Sequence, residues 1–296
     1  MTGGGAVWSV WGMRVPFISL LAVLALASRA VGQQPAPPPV DTVTVVTIRL
    51  IDRTEVTGRV MATDDSSVTL LTFAGARVVV PNRSVVSWRK REGRVTAGGF
   101  QQADPNTSHL FFGPTARTLP QGRGYFTDYY LFFPVAGGGV TDAVMVSGGF
   151  SLLPGSSEQI AYGAAKVRVV HRSDLSVAIG GLYGGIPGEG SAGFGYAVTT
   201  IGSDDNALTL MGGVPFSTDE LADEPIFMVG GEARTGGASK FMAEVWKLPG
   251  EEDVPLLFGM RWFAQKVAVG FGFVYVFPSS VEGWPFIPWV DFSINW

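Results

Sequence analysis

The chain has 296 residues, enough for one large or two modest domains, with 46% hydrophobic and only 16% charged residues, against about 25% charged in an ordinary soluble domain. Its 40 glycines and 35 aromatic residues (8 Trp, 7 Tyr, 20 Phe) suit a sheet with one face in lipid and the other around a crowded lumen. The absence of cysteine excludes a disulfide framework, thiolate metal sites and a cysteine nucleophile, and two histidines, His109 and His171, exclude a histidine-rich metal site. A net charge of −4 without a basic stripe argues against nucleic acid as a partner.

The first element is an export signal. Met13 and Arg14 lead into the apolar run Val15–Ala27, and small residues follow at Ser28, Ala30 and Gly32. A positive start, a short apolar stretch and a small-residue exit define a secretory signal peptide, assigned to residues 1–32 with Met13 as an alternative start. The run is too short for a membrane-spanning helix of about 20 residues. Removing it takes away Arg14 and Arg29, which moves the net charge from −4 to −6. Residues 33–42, rich in proline, make a stiff spacer.

Five short β-like runs follow, at 43–51, 56–62, 67–73, 76–80 and 84–88. So small a set of strands can close only into a little barrel or sandwich. Within them, Leu50-Ile-Asp-Arg-Thr-Glu-Val-Thr-Gly58-Arg-Val-Met-Ala-Thr-Asp64 resembles the first half of the Sm pattern: a turn, then a glycine, then an aspartate six residues on. The resemblance implies a five-stranded Sm-like (SH3-like) module over 43–92. The family's RNA-contacting asparagine is replaced by Asp65-Ser-Ser, and Pro81-Asn-Arg83 stands where Arg-Gly is expected. With nine basic and six acidic residues in 41–94, the module is mildly cationic and suited to anionic envelope polymers. A polar linker is expected over 93–108.

From 109 to 296 the pattern is monotonous, with apolar-alternating segments separated by turns. Twelve are expected: 109–117, 123–135, 140–153, 159–172, 175–186, 191–202, 207–216, 226–235, 239–248, 254–264, 266–277 and 285–296. Transmembrane strands need about 9–11 residues. In 266–277, Val267, Val269, Phe271, Phe273, Tyr275 and Phe277 share one face, with Ala268, Gly270 and Gly272 on the other. In the last segment Val290, Phe292, Ile294 and Trp296 oppose Asp291, Ser293 and Asn295. Connectors after even-numbered segments are short and several odd ones are long, as outer-membrane barrels require.

Trp289-Val-Asp-Phe-Ser-Ile-Asn-Trp296 resembles the closing strand of outer-membrane barrels, which implies recognition by the barrel-assembly machinery. The stretch His109–Arg117 with Gly122–Phe133 is similar to barrels of environmental bacteria, a resemblance that implies no particular activity. The fold expected is thus all-β: an antiparallel transmembrane barrel of about 12 strands after a small periplasmic five-stranded domain, located in the bacterial outer membrane among outer-membrane lipid and lipopolysaccharide.

A charge on the lipid side costs roughly 2–4 kcal/mol at mid-membrane, so strand charges are expected to point inward. This gives a candidate lumen network of Lys166, Arg168, Arg172, Glu232, Arg234, Lys240, Glu244, Arg261, Asp128 and Asp291. It reads either as an ion-pair network filling a narrow lumen or as a slightly anion-favouring constriction. Glycine pairs such as Gly180-Gly181 and Gly184-Gly185 fit strand curvature and lumen crowding.

No catalytic residue, cofactor or metal is expected. His171-Arg-Ser173 places a histidine two residues from a serine, similar to outer-membrane barrel phospholipases, but lacks the Asn-Gly that follows there. Acidic connectors (Glu158, Glu189, Asp219, Glu220, Asp223, Glu224, Glu251, Glu252, Asp253, Glu282) suit solvated loops or divalent cations bridging to lipopolysaccharide. The expected function is an integral barrel with a structural or small-solute-conducting role and a periplasmic accessory domain. The alternatives are an outer-membrane enzyme acting on lipid or peptide at the outer rim, and a secreted soluble β protein.

Overall fold

The structure, a computed structural model, describes residues 45–96, 99–156, 158–188, 190–217, 224–277 and 285–296. The expected signal peptide and proline-rich spacer lie outside them, as do Glu189, Asp219, Glu220, Asp223 and Glu282. The chain divides into two units near Arg89.

The first unit is built from β1 (Val45–Leu50), β2 (Glu55–Thr63), β3 (Ser67–Leu71), β4 (Arg77–Pro81) and β5 (Val85–Lys90), hydrogen-bonded in the order β4-β3-β2-β1-β5. β-branched residues dominate these strands because they pack well on a pleated surface. One face buries Val46, Ile48, Val60, Val68, Leu70 and Val80.

The turns have visible chemistry. Asp64 accepts the amides of Ser66 at 2.7 Å and Ser67 at 2.8 Å, an Asx-type turn that joins β2 to β3. Gly58 sits where a Cβ would lie 2.6 Å from the Leu71 carbonyl oxygen, so only glycine lets β2 bend over β3.

In the second unit, a hairpin of β6 (Gly93–Thr96) and β7 (Gly99–Gln102) precedes twelve further strands. These are β8 (Gly124–Tyr129), β9 (Phe133–Gly139), β10 (Val144–Phe150), β11 (Ala161–His171), β12 (Leu175–Ile186), β13 (Gly190–Gly202), β14 (Asn206–Ser217), β15 (Ile226–Gly236), β16 (Ser239–Lys247), β17 (Val254–Phe263), β18 (Val267–Phe277) and β19 (Ile287–Asn295). Each pairs antiparallel with the next, and β19 pairs with β8, so the sheet closes into a twelve-stranded barrel. Closure removes the unpaired edges an open sheet would expose. Where β19 meets β8, the hydroxyls of Thr127 and Ser293 meet inside the wall at 2.7 Å.

The alternation expected for the last two strands is observed. Phe271, Val290, Phe292 and Ile294 point outward and are exposed, while Ala268, Asp291 and Ser293 are buried inside. The outer face carries a large apolar side chain on strand after strand, among them Phe126, Val146, Ile179, Ile201, Leu210, Phe227 and Phe241. The short connectors 140–143, 172–174, 203–205, 237–238 and 264–266 all lie at the end where β8 begins and β19 ends, and the longer 151–160 and 248–253 lie at the other.

The expected barrel boundaries need correction at the start. Residues 109–117 are not a strand; they hold only an isolated bridge between His109 and Pro114. The expected strand 123–135 is two strands, β8 and the beginning of β9, split by a turn in which Tyr130 and Leu131 adopt φ of 56° and 65°. Twelve strands result in both counts, because the strand lost at 109–117 is replaced by the division of 123–135. Residues 93–108 are likewise no simple linker: they include the β6–β7 hairpin and the buried Asp104.

Candidate functional site

Residues 103–123 enter the barrel lumen from the short-turn end, turn at Phe112-Gly113, and return to begin β8. Prolines at 105, 114 and 120 deny this segment the amide hydrogens a strand ladder needs. Its groups are instead satisfied by the surrounding wall. Leu110, Phe111 and Ala116 join Met228, Met242 and Trp289 in the largest apolar cluster.

Charged wall residues hold the backbone of this segment. Arg261, with no exposed surface, donates to the carbonyl oxygens of Asn106 at 3.0 Å and His109 at 3.1 Å, and to that of Leu110. Lys166 donates to the carbonyls of Ser108 at 2.9 Å and Thr115 at 2.7 Å. At the turn, Glu244 accepts the amide of Phe112 at 3.1 Å and that of Gly113 at 3.0 Å. Ala116 donates to the Thr200 hydroxyl at 2.9 Å. Unmet backbone groups in so dry a place would each cost about 1–3 kcal/mol.

Side-chain ion pairs complete the hold. Lys240 bridges Asp104 at 3.1 Å and Glu232 at 2.8 Å, and Arg261 lies 3.6 Å from Asp104. Arg117 pairs with Glu232 and lies 3.3 Å from Asp204. Nearer the entry, Arg234 meets Asp205 at 2.5 Å. Asp291 accepts the indole N–H of Trp289 at 2.8 Å.

Glycines record the closeness of this packing. A Cβ on Gly113 would come within 2.7 Å of the Met228 methyl and 3.0 Å of a Glu244 carboxylate oxygen, and one on Gly230 would overlap Leu110. Of the glycine pairs singled out, Gly180 and Gly184 lie under the side chains of Tyr196 and Tyr162, the crowding expected of a filled lumen.

Of the ten candidate network residues, Lys166, Glu232, Lys240, Glu244, Arg261 and Asp291 are buried inside the wall, and Arg234 joins them at the entry end. Arg168 lies at the rim beside the β11 bulge and donates to the Asp142 carbonyl at 2.9 Å. Two placements need correction. Arg172 lies in the exposed turn after β11 rather than in the lumen. Asp128 lies on the outer face, opposite Phe292 and between the inward Thr127 and Tyr129. Aromatics occupy both faces of β8, so the strand's two sides could not be told apart by hydrophobicity.

Asp104, Arg117 and Asp205, absent from the candidate set, are central to the arrangement. With them the interior holds, among the described residues, five basic groups (Arg117, Lys166, Arg234, Lys240, Arg261) and five acidic ones (Asp104, Asp205, Glu232, Glu244, Asp291), and each basic group meets a carboxylate or a carbonyl.

Between the lumen segment and the wall lie two adjoining cavities that share lining residues. The deeper, of about 120 Å³, touches His109, Lys166 and Tyr125. The outer, of about 450 Å³, is lined by Tyr129, Tyr130, Phe133, Leu182 and Trp289. Phe112, Tyr162 and Leu182 border both. His171 ends β11 opposite Ser176, and the Ser173 hydroxyl lies 3.5 Å from Asp174 in the following turn. Among the described residues no group of three His, Asp or Glu is placed to hold a metal, and no helix is long and apolar enough to cross a membrane.

No family model matches the chain, and no curated protein matches it. Among solved structures it is similar to the KdgM porin in complex with disordered oligogalacturonate (8% identity, 58% of this chain and 95% of that one, TM-score 0.43). It is also similar to the NanC porin (8%, 58% and 96%, TM-score 0.38) and to an L8-loop deletion mutant of OmpT, an outer membrane protein of Vibrio cholerae (12%, 86% and 97%, TM-score 0.34). Similarities this low carry no argument about function.

Proposed function

We propose that the chain is an integral outer-membrane barrel whose lumen is held shut by its own segment 103–123, a gated small-solute channel rather than an open pore. The observation that carries this reading is the clamp of Lys240, Arg261, Lys166 and Glu244 on that segment, inside a wall whose outer face is apolar. In water such a face would be an aggregation liability; in lipid it is the favourable surface. Strands β11 to β18 run 9 to 13 residues, the length a tilted transmembrane strand needs.

The lumen segment and the short turns share one end, and short turns support a periplasmic orientation for that end. The strand leading to Trp296 forms the closing seam with β8, through two backbone hydrogen bonds between Trp296 and Gly124 at 3.0 and 3.1 Å. That seam is the natural handle for the assembly machinery, and the acidic outer connectors suit cation bridges to lipopolysaccharide. The first unit, with Gly58 and Asp64 shaping its β2–β3 region, fits an Sm-like accessory module on the periplasmic side.

The test is in two steps. Boiled and unboiled samples from the outer-membrane fraction should differ in gel mobility, and planar bilayers holding the intact chain should be nearly silent until urea loosens the lumen segment. Large steady currents from the untreated protein contradict the closed lumen; recovery in the soluble fraction contradicts the membrane barrel.

A further inference from the structure

Two neighbouring polar groups in the deeper cavity lack part of their complement. His109, about nine-tenths buried, contacts Ser108 through Nδ1 at 3.3 Å, yet its Nε2 has no partner although the residue lines the cavity. Lys166 lines the same cavity and has spent two of its three N–H groups on carbonyls. A buried ring nitrogen without a partner is destabilising, and a hydrogen-bond acceptor brought to it would relieve that cost.

The walls above these groups are aromatic. Tyr129, Tyr162 and Phe112 continue from the deeper cavity into the outer one, where Trp289 and Tyr130 meet edge to face at 5.1 Å. A cavity of several hundred Å³, mostly apolar with a few convergent polar groups, is the usual form of a small-molecule site.

We infer that the two adjoining cavities together bind a small hydrophobic carboxylate, its planar body between the tyrosines of the outer chamber and its carboxylate between His109 and Lys166. Lys166 supplies the charge, the imidazole supplies a donor from Nε2, and the Ser108 hydroxyl donates to Nδ1 to hold that tautomer. Among the described residues, Lys166 is the one charged side chain that lines the deeper cavity and no carboxylate lines it, so an anion there meets a cation without a competing acid. The deeper cavity lies alongside residues 108–114 of the lumen segment, and its occupancy is read by binding, without any current.

The probe is 2-naphthoate, with 2-naphthalenemethanol as its uncharged counterpart, in equilibrium dialysis against the full chain in lipid nanodiscs with empty discs as the blank. Saturable binding near one per chain is expected, at least tenfold weaker for the alcohol and for His109→Leu. Leu182→Trp, which fills the junction of the two chambers, should abolish it while the boiled-against-unboiled gel shift persists. Should Leu182→Trp fail to fold, the alcohol and His109→Leu decide the matter. Unsaturable uptake matching the empty discs overturns the site, and equal affinity for acid and alcohol, or for wild type and His109→Leu, overturns the assignment of the carboxylate to these two residues.

Discussion

Lys240 on β16 and Asp104 on the lumen segment meet at 3.1 Å with neither side chain exposed. Glu232 closes on the same ammonium at 2.8 Å, so Lys240 ties together two buried carboxylates that Arg117 and Arg261 flank on either side. Removing one partner of a buried pair costs about 3–5 kcal/mol, because the other charge stays buried. Lys240→Met should therefore release the segment: amide exchange across residues 104–117 should accelerate by at least a hundredfold, and bilayers should begin to conduct. Adding Asp104→Asn should recover part of the protection. Unchanged exchange in Lys240→Met would show that the pair does not hold the segment.

A steric pair offers an independent test. Gly230 leaves room for the Leu110 side chain, and Leu110 has no exposed surface. Gly230→Ala should destabilise the barrel by about 1–3 kcal/mol through overpacking, measured as a lowered urea midpoint. Leu110→Ala should be costly alone, at about 2–5 kcal/mol, yet the double variant should be less unstable than the sum of the two. Additive effects would place the two residues apart.

The turn between β8 and β9 holds two bulky residues in the left-handed region, Tyr130 and Leu131. Tyr130 packs against Trp289, but Leu131 is 75% exposed and gains nothing visible from its strain. Asparagine tolerates this conformation far better. Leu131→Asn should raise the urea midpoint, by about 0.5–1 kcal/mol in stability given the usual cost of a left-handed residue. A lowered midpoint would mean that the leucine side chain makes a contribution the conformation conceals.

In the five-stranded unit, hydrogen bonds from Ser66 and Ser67 hold the Asp64 carboxyl down at about 2, below its ordinary value of 3.8. A depressed carboxylate stabilises the fold above the unfolded-state value, and that contribution fades as pH falls through the folded-state value. Amide protection of residues 45–89 in the full chain should accordingly decline between about pH 4 and pH 2. Asp64→Asn should flatten that decline. An equal slope in both proteins would assign the acid sensitivity to other groups.

How far the sequence discloses the fold depends on which physical pattern each residue obeys. Val267 to Phe277 and Val290 to Trp296 alternate because lipid and lumen impose opposite demands on adjacent residues, and that alternation is legible. The inward placement of Lys166, Glu232, Lys240, Glu244 and Arg261 followed from the cost of a charge in lipid. Segment 103–123 obeys no such rule. Surrounded by wall, it buries apolar and polar residues alike, and His109-Leu-Phe-Phe reads like one more strand. Its prolines at 105, 114 and 120 were the available signal, since a strand inside a closed ladder tolerates few. The partners of Asp104 and Arg117 depend on which strands face the segment across the lumen, a relation of three dimensions that local spacing does not encode.

The most direct measurement uses the chain's lack of cysteine. Leu110→Cys and Gly230→Cys introduced together place two thiols side by side, one on the lumen segment and one on β15. Dibromobimane, which fluoresces only after bridging two thiols, would be added to isolated outer membranes. Rapid formation of a fluorescent, internally bridged product in the double variant, absent from each single variant, is expected if segment 103–123 fills the barrel. No bridged product from a barrel that still shifts on heating would put the segment outside the lumen and contradict the closed channel.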